Sequence, residues 1–368
     1  MMRRTQGFSL IELMISMVVS MIILSGVMQV LLKSKQNALE QFQINDIQDN
    51  ARFVMHVLTQ DLLMAGYWGC ATTDNADIAN AIGIPNDADG FISLTPLTGF
   101  EGEGGISDFP TDLQARAIAG SDAFIIRRAD NAQALMVKEH KPSVSKIELW
   151  DVQHFAVGDT LVIADSSCRQ VGVFQMSGPS GSGATYINNA ADALGNCTNN
   201  LQGNFVCSSA CTSGGCPNSS NLPYSPGSSV MRFNANAYYI GLSPVYGGTE
   251  LDDMPILFKQ ELNAGAIKTK ALAIAQGIEN MDIIYGVDLN SNGEVDRFLR
   301  ADQMDLDGNG SVDSDEWKSV IAVRISLVLR SHETVFSDNQ AVTLQGKAYN
   351  DRYLRQAFSQ TIKLRNHG

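Results

Sequence analysis

Hydrophobic positions along the chain change regime twice. From Phe8 to Leu32 they are almost continuous, 25 residues whose only charge is Glu12. At about 1.5 Å rise per residue, a helix of that length spans the roughly 30 Å hydrocarbon core of a bilayer. From Lys33 to Ala65 there is neither Pro nor Gly. Apolar residues recur there at Leu39, Phe42, Ile47, Ala51, Val54, Met55, Leu58 and Leu62, with Gln41, Gln43, Asp49, Arg52 and Gln60 on the other face. Gly66 supplies the stop. The pattern predicts one helix from about Phe8 to Ala65, a membrane or assembly half over 8–32 and an amphipathic continuation over 33–66.

After Gly66 the period shortens. Ala123–Ile126, Thr160–Ile163, Val171–Phe174, Ala237–Ile240, Met281–Tyr285 and Ser319–Ser331 are β-branched or aromatic runs bounded by Gly, Asp, Asn or Pro, which read as strands. The fold class is therefore α+β: a long N-terminal helix packed on an antiparallel β-sheet head with long loops, the head occupying 67–368. Within it, 178–230 is rich in Gly, Ser and Cys and poor in apolar residues, and is expected to be a surface insertion.

The chain has 368 residues with 44% hydrophobic and 18% charged, which is globular. Its 39 carboxylates against 26 Lys and Arg give a formal charge of −13. That balance argues against nucleic acid as a partner, because a phosphate lattice rewards surplus Lys and Arg. It argues equally against a polybasic lipid-binding surface.

Glu12 is the anomaly in the apolar run. A carboxylate at a membrane-helix centre costs about 2.5–3.5 kcal/mol on insertion scales, less near an end, so it needs a partner. A plain signal peptide has an apolar region of only about 7–15 residues and a small-residue cleavage site, unlike this run. If the chain is cut after Gly7, Phe8 becomes a positively charged N-terminus. In an assembly, one subunit's Glu12 can then neutralise a neighbour's Phe8 amine and set the register between them.

Gly7-Phe8-Ser9-Leu10-Ile11-Glu12-Leu13 resembles the class III leader shared by type IV pilins and type II secretion pseudopilins. In that family a prepilin peptidase cuts after the Gly and methylates the new Phe. The resemblance thus implies a leader over 1–7, cleavage between Gly7 and Phe8, and N-methylation of Phe8. The stretch from Asn50-Ala51-Arg52-Phe53 to Ala65-Gly66-Tyr67-Trp68-Gly69-Cys70, with the closing Ile362-Lys363-Leu364-Arg365-Asn366, is similar to the PilW family of type IV pilus minor pilins. That likeness implies a pilin-like structural subunit near the pilus tip, helping to initiate assembly and to display a tip adhesin. The implied partners are other minor pilins, the major pilin and the prepilin peptidase, with adhesion and twitching motility as the implied outputs. It further implies a single-pass state in the bacterial inner membrane, N-terminus cytoplasmic, before incorporation into the pilus at the cell surface. A minor pseudopilin of type II secretion is the alternative, and a membrane-anchored adhesin or enzyme that never polymerises is a third reading.

Six cysteines, Cys70, Cys168, Cys197, Cys207, Cys211 and Cys216, suggest disulfides in an exported head. We expect Cys70 to pair with Cys168 and the other four among themselves, in an order that sequence leaves open. A four-thiolate zinc site is the rival, although the paired C-x-x-C knuckles are missing.

The second chemical signal is Asp305-Leu306-Asp307-Gly308-Asn309-Gly310-Ser311-Val312-Asp313-Ser314-Asp315-Glu316. Asp305, Asp307 and Asn309 occupy positions one, three and five, Ser311 position seven, Asp313 nine and Glu316 twelve of an EF-hand-type calcium loop, with Gly310 at six. A hard cation wants six to eight oxygens, and the last Glu closes the site. Upstream, Asp288, Asn290, Asn292, Glu294 and Asp296 repeat the start of that pattern, but position twelve is Leu299. Both loops are expected between strands rather than between EF-hand helices. Calcium is the expected, structural ion, and a solvated turn the competing reading. Residues 288–316 hold nine carboxylates and two arginines, a self-repelling charge that cations would relieve.

No enzyme is expected. The five histidines form no H-E-x-x-H arrangement, and neither a G-x-S-x-G elbow, a P-loop nor a dinucleotide fingerprint occurs.

Overall fold

The computed structural model describes residues 10–72, 76–83, 91–181, 183–191, 193–212, 214–242, 254–263, 266–267 and 271–366. Helix α1 runs Leu10–Met64 without a break, as the absence of Pro and Gly between Lys33 and Ala65 requires. It ends at Gly66, whose φ of +71° favours glycine, and an added Cβ would meet Pro96 at 3.0 Å. The chain then forms β1 (Asp77–Asn80), β2 (Leu97–Phe100), the short helix α2 (Thr111–Gln114), β3 (Ala123–Lys141), β4 (Lys146–Leu149), β5 (Thr160–Ala164) and β6 (Gln170–Gln175). The cysteine-rich segment supplies β7 (Tyr186–Asn188), β8 (Gln202–Gly203), β9 (Phe205–Val206) and β10 (Ser219–Ser220). Next come β11 (Ser229–Leu242), β12 (Pro255–Asn263), β13 (Ala266–Ile267), β14 (Leu272–Gln276), β15 (Ile278–Val287) and β16 (Arg297–Leu299). Last are α3 (Ser314–Trp317), β17 (Val320–Thr334), β18 (Gln340–Leu344), β19 (Lys347–Asp351) and β20 (Tyr353–Lys363). A long helix with a mostly antiparallel β head is the expected α+β, pilin-like architecture.

One large sheet has the order β7-β4-β3-β11-β5-β6-β1-β9. Strand β11 keeps β3 along one edge, while its other edge is shared between β5 at residues 229–232 and β12 at residues 236–242. Among the described residues, β1 pairs in parallel with β6 and with β9, and the pairings of β3, β11, β12 and β15 are antiparallel. A second sheet has the order β16-β15-β17-β20. The period-two alternation explains why β5 is buried throughout: Leu161 and Ile163 enter one apolar cluster and Val162 and Ala164 the other.

The chain divides into two compact units, one comprising Met1–Asp49 and Arg330–Gln356, the other Asn50–Leu329 and Ala357–Gly368. In the first, the β18–β19 hairpin follows the end of β17, and His332 Nε2 lies 3.6 Å from Asp46 of α1. In the second, the last turns of α1 bury Ala51, Val54, Met55, Leu58 and Leu62. Each large side chain removed from water there contributes about 1.5–3 kcal/mol. The amphipathic stripe is shorter than its sequence suggests, since Leu39 and Phe42 are 50% and 66% exposed. The cysteine-rich segment is also more deeply built in than a surface insertion. Its β7 closes one end of the large sheet on β4 and its β9 the other on β1, with Ile187, Leu201, Phe205 and Tyr224 buried.

Candidate functional site

The N-terminal chemistry is carried by α1. Over Leu10–Leu32 its large apolar side chains face solvent, and the helix contains a window of mean hydropathy 2.3, long and apolar enough to cross a membrane. Glu12 lies in its first turn, where a carboxylate also suits the positive end of the helix dipole. Gly7 and Phe8 lie outside the described residues.

The far end of the same helix is tied to the head by a residue that belongs to no sequence motif, Asp61. Asp61 Oδ2 accepts from the Tyr238 hydroxyl at 2.5 Å and from Asn236 Nδ2 at 2.9 Å. Arg128 and Lys259 each stand 3.7 Å from its carboxylate. Three strands, β3, β11 and β12, thus converge on one helix side chain, and burial together with the Asp61 charge pushes the Tyr238 phenol far up. A charge flanked in sequence by the buried Leu58 and Leu62 was the available signal. Asn366 completes the joint, its Nδ2 donating to the Ala65 carbonyl at 3.0 Å and reaching that of Leu63 at 3.4 Å. These are the carbonyls a helix end leaves unpaired.

The second loop folds as its residue pattern demands. Asp305 Oδ1 accepts from the Gly308 and Asn309 N–H groups and its Oδ2 from Gly310 N–H at 2.9 Å. Gly310 has φ +87°, the sharp turn that position six needs. Glu316 reaches back across the loop: Oε1 accepts from Leu306 N–H at 2.6 Å and Oε2 from Asp313 N–H at 2.8 Å. Asp305, Asp307 and Glu316 thereby offer carboxylate oxygens within 4.8 Å of one another, a donor set suited to a hard cation. Asp313 is not in that triad. Its carboxylate caps α3 through the Asp315 and Glu316 N–H groups. Asn309 Oδ1 accepts from the Ser311 N–H and hydroxyl.

The upstream loop is built alike but closes earlier. Asp288 accepts from the N–H groups of Asn290, Asn292 and Gly293, the last at 2.6 Å. Partial desolvation works against these bonds, yet they hold its carboxyl below the usual range. Asn292 Oδ1 accepts from Glu294 N–H. Asp296 Oδ2 accepts from Leu289 N–H at 2.7 Å, the bond Glu316 makes to the equivalent Leu306, and its Oδ1 accepts from Asn290 Nδ2 at 2.9 Å. The closing carboxylate absent at Leu299 is thus supplied by position nine, directly before β16. Strands β15 and β16 flank this loop; the other runs from just after a 3-10 turn at Ala301–Gln303 into α3, which β17 follows.

All six cysteines are paired: Cys70 with Cys168, Cys197 with Cys207, and Cys211 with Cys216. The sulfurs of Cys197, Cys211 and Cys216 crowd within 4.8 Å, forming a small satellite core with Ala79 and Phe205. With every sulfur in a disulfide, no thiolate is left for zinc. The Cys70–Cys168 bridge closes a loop of 98 residues, which on the chain-entropy account contributes roughly 4–5 kcal/mol.

A class III leader, a single apolar helix and an antiparallel head are the parts of a pilin. Residues 2–28 match the family described as Prokaryotic N-terminal methylation motif, and residues 237–366 match Type IV Pilus-assembly protein W. Together these matches fit a PilW-type minor pilin, and the leader motif with the apolar helix fits a pilin anchored in the inner membrane and later assembled into the pilus. The second match contains Tyr238, Asn236's neighbour Ala237, both acidic loops and Asn366, whereas Asn50–Cys70 lies outside both ranges. No curated protein and no solved structure matches the chain.

Proposed function

We propose that this minor pilin is a tip subunit of the type IV pilus, non-enzymatic, which helps to initiate assembly and to display a tip adhesin. The observation that carries this reading is the size and elaboration of the head on a standard pilin helix. A large head with long loops and a bridged insertion at the rim of its sheet is costly to repeat along a shaft, but a terminal subunit has one unobstructed side. The specific partners we infer are other minor pilins below it, the major pilin of the shaft and, before assembly, the prepilin peptidase. Quantitative mass spectrometry of sheared pili fractionated by length tests the position. A fixed copy number per filament is expected, and a copy number that scales with length overturns it. Loss of type II secretion with normal piliation in a deletion strain would favour the pseudopilin alternative.

We also propose that Asp305, Asp307, Asn309, Asp313, Glu316 and the Ser311 carbonyl hold a structural calcium ion, and that Asp288, Asn290, Asn292 and Asp296 form a shorter companion site. The fit rests on oxygen donors already gathered by backbone N–H groups. A bound cation would offset the repulsion among these carboxylates without requiring the loops to refold.

A further inference from the structure

The joint between β15 and the segment Leu97–Phe124 contains two carboxyl groups that neither pilus assembly nor calcium uses. Ser121 and Asp122 lead into β3, and the Asp122 N–H donates to the Met281 carbonyl at 2.9 Å. Ser121 Oγ accepts from Met281 N–H at 3.0 Å. The Asp122 carboxyl then spans the joint, Oδ1 accepting from Gly102 N–H at 2.9 Å and Oδ2 from Ile283 N–H at 2.7 Å. The packing is tight on both sides. A Cβ on Gly102 would fall 2.1 Å from the Ser121 carbonyl oxygen, and one on Gly99 would fall 2.0 Å from the Tyr285 hydroxyl.

Glu101 sits beside Asp122. Its Oε1 meets Arg300 at 3.3 Å, but its Oε2 is buried with no hydrogen-bond partner. Two buried carboxylates side by side repel, and an acceptor without a donor is costly there. A single proton cures both defects, because a protonated Asp122 keeps its backbone bonds and offers an O–H to Glu101. The other charged or titratable groups around the pair do not replace that proton. Arg300 is divided among Glu101, Glu103 and Asp282, and the Tyr285 hydroxyl is buried without a partner. Burial first, and then Glu101, raise the Asp122 carboxyl to about 7 against the two backbone bonds that lower it.

We propose that Asp122 and Glu101 are a proton-operated fastener: sharing one proton they close the joint between β2–β3 and β15, and losing it on passing to alkaline medium loosens that joint. Tyr285, packed on this joint, also stacks edge-on against Trp317 of α3, with ring centroids 4.9 Å apart. Loosening would therefore be felt next to the second acidic loop. The inference is independent of the tip assignment.

Hydrogen exchange of the full chain in detergent, corrected for intrinsic exchange, tests it at pH 5.5 and 8.5. If opening returns Asp122 from about 7 to its ordinary 3.8, protection at Gly102 and Ile283 should fall roughly thirtyfold across that interval, while β5 amides hold. Glu101→Gln should abolish the fall, since its amide can donate to an ionised Asp122. Unchanged wild-type protection at those two amides, equal loss at β5, or a fall that persists in Glu101→Gln would each overturn the proposal. The wild-type arm alone decides it should the variant not fold.

Discussion

If Glu12 pairs with a neighbour's Phe8 amine, one side chain serves the membrane badly and the assembly well. Removing its charge lowers the cost of burial in lipid, while a neighbour's Phe8 amine would lose its counter-charge in the filament core. Glu12→Ala should therefore reach the inner membrane at wild-type levels or above and be absent from sheared pili. Normal recovery in the pilus fraction would show the pairing to be unnecessary. Asp61 poses the same question within one subunit. Asp61→Ala leaves the Tyr238 hydroxyl, Asn236 Nδ2, Arg128 and Lys259 without their shared acceptor, and should cost about 3 kcal/mol in urea unfolding of the full chain in detergent. A loss below about 1 kcal/mol would mean that water replaces the carboxylate freely. Glu12 was legible because it interrupts a run of uniform chemistry. Asp61 was not, because a lone acid in an amphipathic helix reads as solvated until the strands that face it are known.

At the scale of elements, sequence spacing carried the helix and the second acidic loop almost completely. Both are local: α1 needs a periodic run and a glycine stop, and the loop needs Asp305, Gly310 and Glu316 at fixed offsets. The role of Asp296 was hidden by the same logic, since a twelve-residue template looks for its closing carboxylate at Leu299. In the upstream loop the carboxylate that reaches the position-two N–H is that of Asp296 at position nine, directly before β16. The embedded course of 178–230 was illegible for the opposite reason, because β7 and β9 are two or three residues long and gain their order from β4 and β1. For the loops, the measurement is thermal melting of the full chain with calcium and with chelator. An ion that binds only the folded state at a hundredfold excess over Kd stabilises by about 2.7 kcal/mol. Glu316→Ala should lose most of the calcium response, and Asp296→Ala a smaller part, larger than Asp288→Ala would suggest if the upstream loop were open. A melting temperature unmoved by calcium in the wild type would leave solvated turns as the sufficient account.

Across the whole molecule, two buried groups tilt stability in opposite directions over one pH interval. Asp122 has its pKa raised from 3.8 to about 7, so its contribution is full below about 3.8 and is lost as pH rises towards 7. His140, buried against Tyr224 with its Nδ1 accepting from the Tyr224 N–H, is lowered by that burial from 6.5 to about 4. Its contribution is full above about 6.5 and is lost as pH falls towards 4. Each slope is at most about 1.4 kcal/mol per pH unit, so the two largely cancel between about pH 4.5 and 6.5. Variants should expose them separately. In urea unfolding with disulfides intact, Glu101→Gln removes the Asp122 slope, so its stability should rise with pH more steeply than that of the wild type. His140→Gln removes the opposing slope, so its stability should rise less steeply than the wild type or decline. Variants that tilt in the same direction relative to wild type would show that at least one of these groups titrates at its ordinary pKa in the folded head.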